Sequence, residues 1–305
     1  MVRLRDLTTE ELLAPGHRLC AGCAEPIITR QILKSVKGNP VIVTATGCLE
    51  VSTTIYPYTS WRIPWAHIAF ENAASVASGI EAAYKAMAKR GVKVDAKVIA
   101  MAGDGGTFDI GIQALSGALE RGHDFLYVCL DNEAYMNTGI QRSGATPHGA
   151  STTTSYAGKV IPGKPEWKKD LMGIVVAHNI PYAATVSPAF WNDLMTKVEK
   201  ATSIKGPTFI HALSPCPRGW RYDPSDTIKV ARLAVMSNFF PLYEVENGVY
   251  RLTYKPRKPV PVREYLEMQG RFRHLFKPPF EEELEKIQEE VDRRWEHLLK
   301  LCGEA

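Results

Sequence analysis

The chain has 305 residues, 45% of them hydrophobic and 23% charged, with a formal net charge of +4. This is a globular composition, long enough for one large core or two smaller ones. The mild positive excess comes without a dense Lys/Arg run, which argues against nucleic acid as a partner, and no stretch approaches the ~18 uncharged apolar residues of a membrane span.

The N-terminal stretch MVRLRDLTTEELL carries Asp6, Glu10 and Glu11 and has no continuous apolar run, so no secretory signal is expected. The expected setting is the cytoplasm, where thiols stay reduced, and the six cysteines then need a reading other than disulfides. In chain order, residues 1–20 read as irregular and 26–36 as a helix. The β-branched run 40–46 reads as a buried strand that stops at Gly47-Cys48. An Ala-rich helix is expected over 71–91 with Gly91 as its C-cap, then a strand over 97–103. A helix over 107–122 stopped by Gly122 and a strand over 125–132 follow. The stretch 138–164 is rich in Gly, Ser and Thr, and a loop of that length in a compact domain is functional or disordered. Strands are expected over 181–186 and 207–213, with helices near 167–178 and 188–204.

This alternation predicts an α/β domain: a mainly parallel sheet with helices on both faces, binding ligands at the carboxyl ends of its strands. The tail differs. Residues 251–262 are Pro-rich and extended, and 281–301 form a helix with Leu284, Ile287, Val291, Trp295 and Leu298 on one face. We therefore divide the chain into an α/β domain, 1–240, and a C-terminal arm and helix, 241–305, packing on that domain or on a partner subunit.

Two groups of residues carry chemistry. The first is Gly103-Asp104-Gly105-Gly106 at the end of the strand over 97–103, with Asn132 at the end of the next strand, in DNEAYMN. If the strands are neighbours, Asp104 and Asn132 meet at one sheet edge. Two hard oxygen ligands there suit Mg²⁺, with the Ala134 carbonyl as a third. The N–H groups of a helix beginning after Gly106 would face phosphates. The structural alternative is a strand–turn–helix junction with a capping Asp and an unrelated Asn. The second group is Cys20 and Cys23 in LCAGCAEP, Cys48 in ATGC and Cys216 in HALSPCP. With parallel strands, Cys48 and Cys216 emerge on the edge that carries Asp104. Four such thiolates can hold Zn²⁺ or a [4Fe–4S] cluster. The spacing is not that of paired zinc knuckles, and on spacing alone zinc and iron–sulfur are close to even. Cys129, inside the apolar FLYVCLD, reads as a buried small hydrophobe, and Cys302 as no ligand. His67 reads as structural, and Trp61 and Trp65 as packing or subunit contacts.

The spacing of Gly-Asp-Gly and Asn resembles the diphosphate-binding signature of thiamine-diphosphate enzymes. Taken together, CAGCAEP, ATGC, GDGG, DNEAYMNTGIQRS, TPHGASTTTS and PCPRGW resemble the β subunit of pyruvate:ferredoxin oxidoreductase (pyruvate synthase), over nearly the whole chain. The resemblance implies the thiamine-diphosphate-binding fold. It gives Cys20, Cys23, Cys48 and Cys216 to a [4Fe–4S] cluster, and Asp104, Asn132 and the Ala134 carbonyl to Mg²⁺. It places Asn137 near the reacting carbon and Glu25 near the cofactor. Gly47, Gly103, Gly105, Gly106, Met136 and Thr138 complete the cofactor-binding set. One position departs from the family: Ala24 follows the second Cys, where Gly is usual. The implied activity is reversible oxidative decarboxylation of a 2-oxoacid to acyl-CoA and CO₂, with electrons passed to the cluster and then to ferredoxin. The implied partners are an α subunit that supplies the pyrimidine-side glutamate, a γ subunit and a ferredoxin-like δ subunit. The rival readings are another 2-oxoacid or oxalate as substrate, a non-redox decarboxylase half, and a non-catalytic zinc-stabilised interaction subunit.

Overall fold

The computed structural model describes Arg5 and residues 7–304. Six parallel strands, running from one edge, make up most of an eight-stranded sheet: β1 (Pro40–Ala45), β2 (Trp65–Ile68), β3 (Lys97–Gly103), β4 (Leu126–Asp131), β5 (Tyr182–Val186) and β6 (Thr208–Leu213). Two antiparallel strands, β7 (Leu242–Glu246) and β8 (Val249–Tyr254), extend it, in the spatial order β2-β1-β3-β4-β6-β5-β7-β8. All residues of β1, β4 and β6 are buried, as expected of parallel strands covered on both faces, whereas β8 alternates exposed and half-buried residues at the sheet edge.

Alternate strand residues feed two cores. Ile42, Ile99, Met101, Val128 and Ile210 pack on one face under α1 (Ala24–Ser35) and α6 (Trp191–Ser203). Val43, Ala100, Tyr127, Cys129 and Phe209 pack on the other under α3 (Ala73–Lys89), α4 (Ile112–Glu120) and α5 (Leu171–Val176). Gly91 and Gly122 follow α3 and α4 with φ of +84° and +67°, the left-handed geometry that ends a helix without a Cβ clash. A third core joins Trp220, at the end of α7 (Pro217–Trp220), to α8 (Thr227–Met236), α9 (Val262–Glu267), Phe272 and α10 (Glu282–Leu301). Ile287, Val291 and Leu298 of α10 are buried in it, and Leu284 and Trp295 are half-buried.

The expected strands and helices are all present, with differences at three places. Strand β2 has only four residues on a half-exposed edge, too short for an apolar run to announce it. The arm begins with a hairpin, β7–β8, that continues the sheet. Its turn, Asn247-Gly248, has φ of +49° and +81°, the Asn-Gly geometry of a tight hairpin. The helix expected over 107–122 is two pieces: a π-helical turn over Gly105–Asp109, closed by Ile110 N–H on Gly105 O at 3.2 Å, and then α4. Among the described residues, no helix is long and apolar enough to cross a membrane.

Candidate active site

Strands β1, β3, β4 and β6 are consecutive neighbours, and all point the same way. Their carboxyl ends carry Gly47-Cys48, Asp104, Asn132 and Cys216. The chain leaves β1 toward β2 on one side and returns to β3 on the other, so a crevice opens between the ends of β1 and β3, where ligands bind in such sheets. A cavity lies there. Glu25, Gly47, Cys48, Gly103, Asp104, Gly105, Asn132, Ala134, Met136, Asn137 and Thr138 all line it. Gly106 does not: it sits deeper in the π-turn, where an added Cβ would meet Phe70 O at 3.0 Å. Asn137 and Thr138 are exposed.

Asp104 is buried, and burial together with the Asp131 charge raises its carboxyl well above the usual carboxylate range. Its Oδ2 accepts a hydrogen bond from the Ser143 hydroxyl. Its Oδ1 is buried without a partner, and so is Oδ1 of Asn132. The Asn132 amide donates to Glu25 Oε1 at 3.0 Å, which turns its own oxygen away from Glu25. Two unpartnered oxygens beside a desolvated carboxylate fit a hard divalent cation. Gly105 leaves room for the Tyr135 ring: a Cβ there would lie 2.4 Å from it. The Thr107 hydroxyl ties the turn to Gly103 O at 2.8 Å. Burial pushes the Glu25 carboxyl up to about 7, against the Asn132 hydrogen bond.

Behind Asn132 lies a charge cluster that sequence reasoning missed. Asp131 and Glu133 are fully buried. Burial alone would raise Asp131, but Lys168 at 2.5 Å and His211 at 2.7 Å bring it below its ordinary range. Lys168 also reaches Glu133 at 2.8 Å, and Arg271 holds the other Glu133 oxygen at 2.5 Å. Glu133 has φ +65°, a left-handed conformation that costs a non-glycine residue roughly 1–3 kcal/mol and persists only where surroundings over-determine it. Ser143, Thr146 and Lys164, in the polar segment 138–164, are buried against this region. No periodic pattern marks such residues, although Ser143 lies in NTGIQRS.

The thiols come from separate segments. Cys23 and Cys216 precede α1 and α7, and Cys48 opens α2 (Cys48–Thr53). Ala24 N–H donates to Pro215 O at 3.4 Å, which brings the first pair beside Cys216. Cys23 N–H donates to Cys20 O at 3.0 Å, so the first two thiols share one turn, and Cys48 lies at the end of β1. Burial raises the thiols of Cys23 and Cys48, and pushes Cys216 up to about 11. Cys216 Sγ accepts the Gly219 N–H at 3.3 Å, and Asn137 and Cys48 line the same cavity. Among the described residues, no three His, Cys, Asp or Glu side chains form a ready-made metal-ligand group. Cys129 is fully buried in the apolar core, and Cys302 lies at the end of α10. A larger cavity of about 540 Å³, between α10 and the sheet, is lined by Trp167, Phe240 and Tyr243 among others and by none of the candidate ligands.

Residues 45–212 match the family described as thiamine pyrophosphate enzyme, C-terminal TPP binding domain, so the chain belongs among the thiamine-diphosphate enzymes. The chain is 59% identical to pyruvate synthase subunit PorB of Methanocaldococcus jannaschii, covering 93% of this chain and 95% of that one. It is 53% identical to the Thermotoga maritima subunit of the same name (95% and 91% covered) and 46% identical to ketoisovalerate oxidoreductase subunit VorB of Pyrococcus abyssi (98% and 96%). The fold matches that of 2-oxoglutarate:ferredoxin oxidoreductase from Magnetococcus marinus, with TM-score 0.54 and 19% identity over 75% of this chain and 79% of that one. The chain belongs to the pyruvate synthase β-subunit family of 2-oxoacid:ferredoxin oxidoreductases.

Proposed function

We propose that this chain is the diphosphate-binding subunit of a pyruvate:ferredoxin oxidoreductase. It acts with partner subunits to convert pyruvate and coenzyme A reversibly to an acyl-CoA and CO₂, and passes the electrons to ferredoxin. The observation that carries the reading is the meeting of Asp104 and Asn132, each with a buried unpartnered oxygen, with Cys48 and Cys216 at the ends of four adjacent strands.

Asp104, Asn132 and the Ala134 carbonyl would hold Mg²⁺, and the Gly103–Gly105 turn would lie against the diphosphate. Thiamine diphosphate, when bound, supplies the electron sink for decarboxylation. Cys20, Cys23, Cys48 and Cys216 would hold a [4Fe–4S] cluster, which accepts electrons singly. Ser143 orients the Asp104 carboxylate. Glu25 orients the Asn132 amide. Asn137 is exposed at the mouth of the cavity that Cys48 also lines, where it would face the substrate. The proposed partners are an α subunit bringing the pyrimidine-side glutamate, a γ subunit and a ferredoxin-like δ subunit, in the cytoplasm. Residues 241–305 act as an arm bracing the 1–240 domain. A second substrate reading, a branched 2-oxoacid, is favoured by the relative named for ketoisovalerate.

The test is anaerobic purification of the native complex, with iron, sulfide, zinc and thiamine diphosphate counted per chain, followed by a panel of 2-oxoacids. Iron, sulfide and stoichiometric thiamine diphosphate, with pyruvate the best substrate, are expected. Zinc without thiamine diphosphate would turn the chain into an interaction subunit and end the mechanism above.

A further inference from the structure

We propose that Arg271, from the C-terminal arm, is a positioning residue for cofactor binding: through Glu133 it sets the conformation of the Asn132–Ala134 loop. The inference rests on the assignment of Asp104, Asn132 and Ala134 to the Mg²⁺-diphosphate site. Arg271 itself lies outside residues 45–212, the part shared with thiamine-diphosphate enzymes at large.

The loop is tied down from behind. Asn132 and Ala134 line the cavity, and the Glu133 side chain between them leaves on the opposite side. Its backbone N–H donates to Asp131 Oδ1 at 3.0 Å, and its carbonyl accepts from the Thr146 hydroxyl at 2.7 Å. Its carboxylate is divided between Lys168 and Arg271. Arg271 is itself fixed: Nε and one terminal nitrogen donate to Gln269 Oε1 at 2.9 and 2.7 Å, and its guanidinium lies 4.0 Å over the Trp220 ring. The Trp220 Nε1–H donates to Asn132 O at 2.7 Å. Arg271 thus reaches both residues 132 and 133, one through a charge pair and one through an indole.

Two buried carboxylates, Asp131 and Glu133, face the half-buried Lys168 and the buried Arg271, with His211 as a further partner of Asp131. Removing one cation leaves a buried carboxylate short of a partner, and the cheapest relief is for the left-handed turn at Glu133 to unwind. Unwinding moves Asn132 Oδ1 and the Ala134 carbonyl, the atoms assigned to Mg²⁺. Cys20, Cys23 and Cys48 come from other segments, and Cys216, four residues before Trp220, is held by the Gly219 N–H and not by the guanidinium, so the loss falls on the diphosphate side.

The experiment uses the whole heteromeric complex, stripped anaerobically of Mg²⁺ and thiamine diphosphate by chelation. Equilibrium dialysis at fixed Mg²⁺ then measures thiamine diphosphate affinity, beside iron per chain and the melting temperature of the stripped complex. Arg271→Met should weaken affinity by roughly 10- to 100-fold with iron unchanged, the scale seen when residues behind metal ligands are altered. Arg271→Lys, which keeps the charge, should recover most of it. Glu133→Gln should weaken affinity too, and the double variant should lose less than the two losses combined. A purely structural Arg271 would lower the melting temperature and leave the affinity of folded complex at wild-type, and that result overturns the proposal. If Arg271→Met does not assemble, wild-type affinity in Glu133→Gln overturns it instead. Asp104→Asn separates the two readings. Normal binding there removes the site assignment and the brace with it, while loss there with normal binding in Arg271→Met removes the brace alone.

Discussion

Asp104 and Asn132 stand at the ends of adjacent strands, are buried, and are each hydrogen-bonded through one side-chain atom while an oxygen is left free. The cysteines are drawn from an N-terminal turn, the start of α2 and the turn after β6, and range from exposed to half-buried. The register of β3 on β4 determines the distance between the first two residues, and the hydrogen bonds of Ser143 and Glu25 their orientation. The thiol segments are joined through the backbone, by Cys23 N–H on Cys20 O and Ala24 N–H on Pro215 O, and Cys216 Sγ accepts from Gly219 N–H. On the proposed assignment, the diphosphate side is preorganised by the protein, and the thiol side would be closed by what it binds. If so, the two halves should fail separately.

The largest expected effect is at Asp104. Asp104→Ala in the complete complex should weaken Mg²⁺-dependent thiamine diphosphate binding by at least ~100-fold, with iron per chain unchanged. Normal cofactor retention, read by dialysis, would remove the site. Cys48→Ala should do the converse: iron and sulfide fall toward zero while thiamine diphosphate affinity stays within a few-fold. An intact cluster would mean that the four-thiol set is wrong, and loss of both groups together would mean that the halves are not independent. Ser143→Ala should cost about tenfold in cofactor affinity, because Asp104 keeps its place and loses only its orienting donor. Loss as large as that of Asp104→Ala would show Ser143 to be a ligand in its own right. The smallest change is expected from Cys129→Ala: iron unaltered, and stability lower by about 1 kcal/mol in thermal unfolding. Lost iron there would place the wrong cysteine in the set.

Much of the site was legible in the sequence, for identifiable reasons. Gly-Asp-Gly after an apolar run, and Asn132 at the end of the next one, mark strand ends, and strand ends in a parallel sheet share an edge. Cys129 was separable from the other cysteines because it sits inside a strand and they do not. The π-turn over Gly105–Asp109 was invisible, since a single wide turn leaves no periodic trace. The hairpin β7–β8 did leave one, the Asn247-Gly248 turn between alternating residues. Ser143, Lys168 and Arg271 left none. Each lies in a segment without regular pattern, and its role depends on which buried group it meets.

Composition, the alternation of strand and helix, and the position of Asp104, Asn132 and the cysteines relative to strand ends were determined by the sequence alone, because local periodicity and breaker residues are short-range properties of the chain. Tertiary structure decided the rest. It set β3 beside β4, turned the Asn132 amide onto Glu25, and brought Lys168 and Arg271 onto a left-handed Glu133. Those contacts join residues up to 138 positions apart, and only the folded packing of sheet, polar loop and C-terminal arm brings such distant charges within reach.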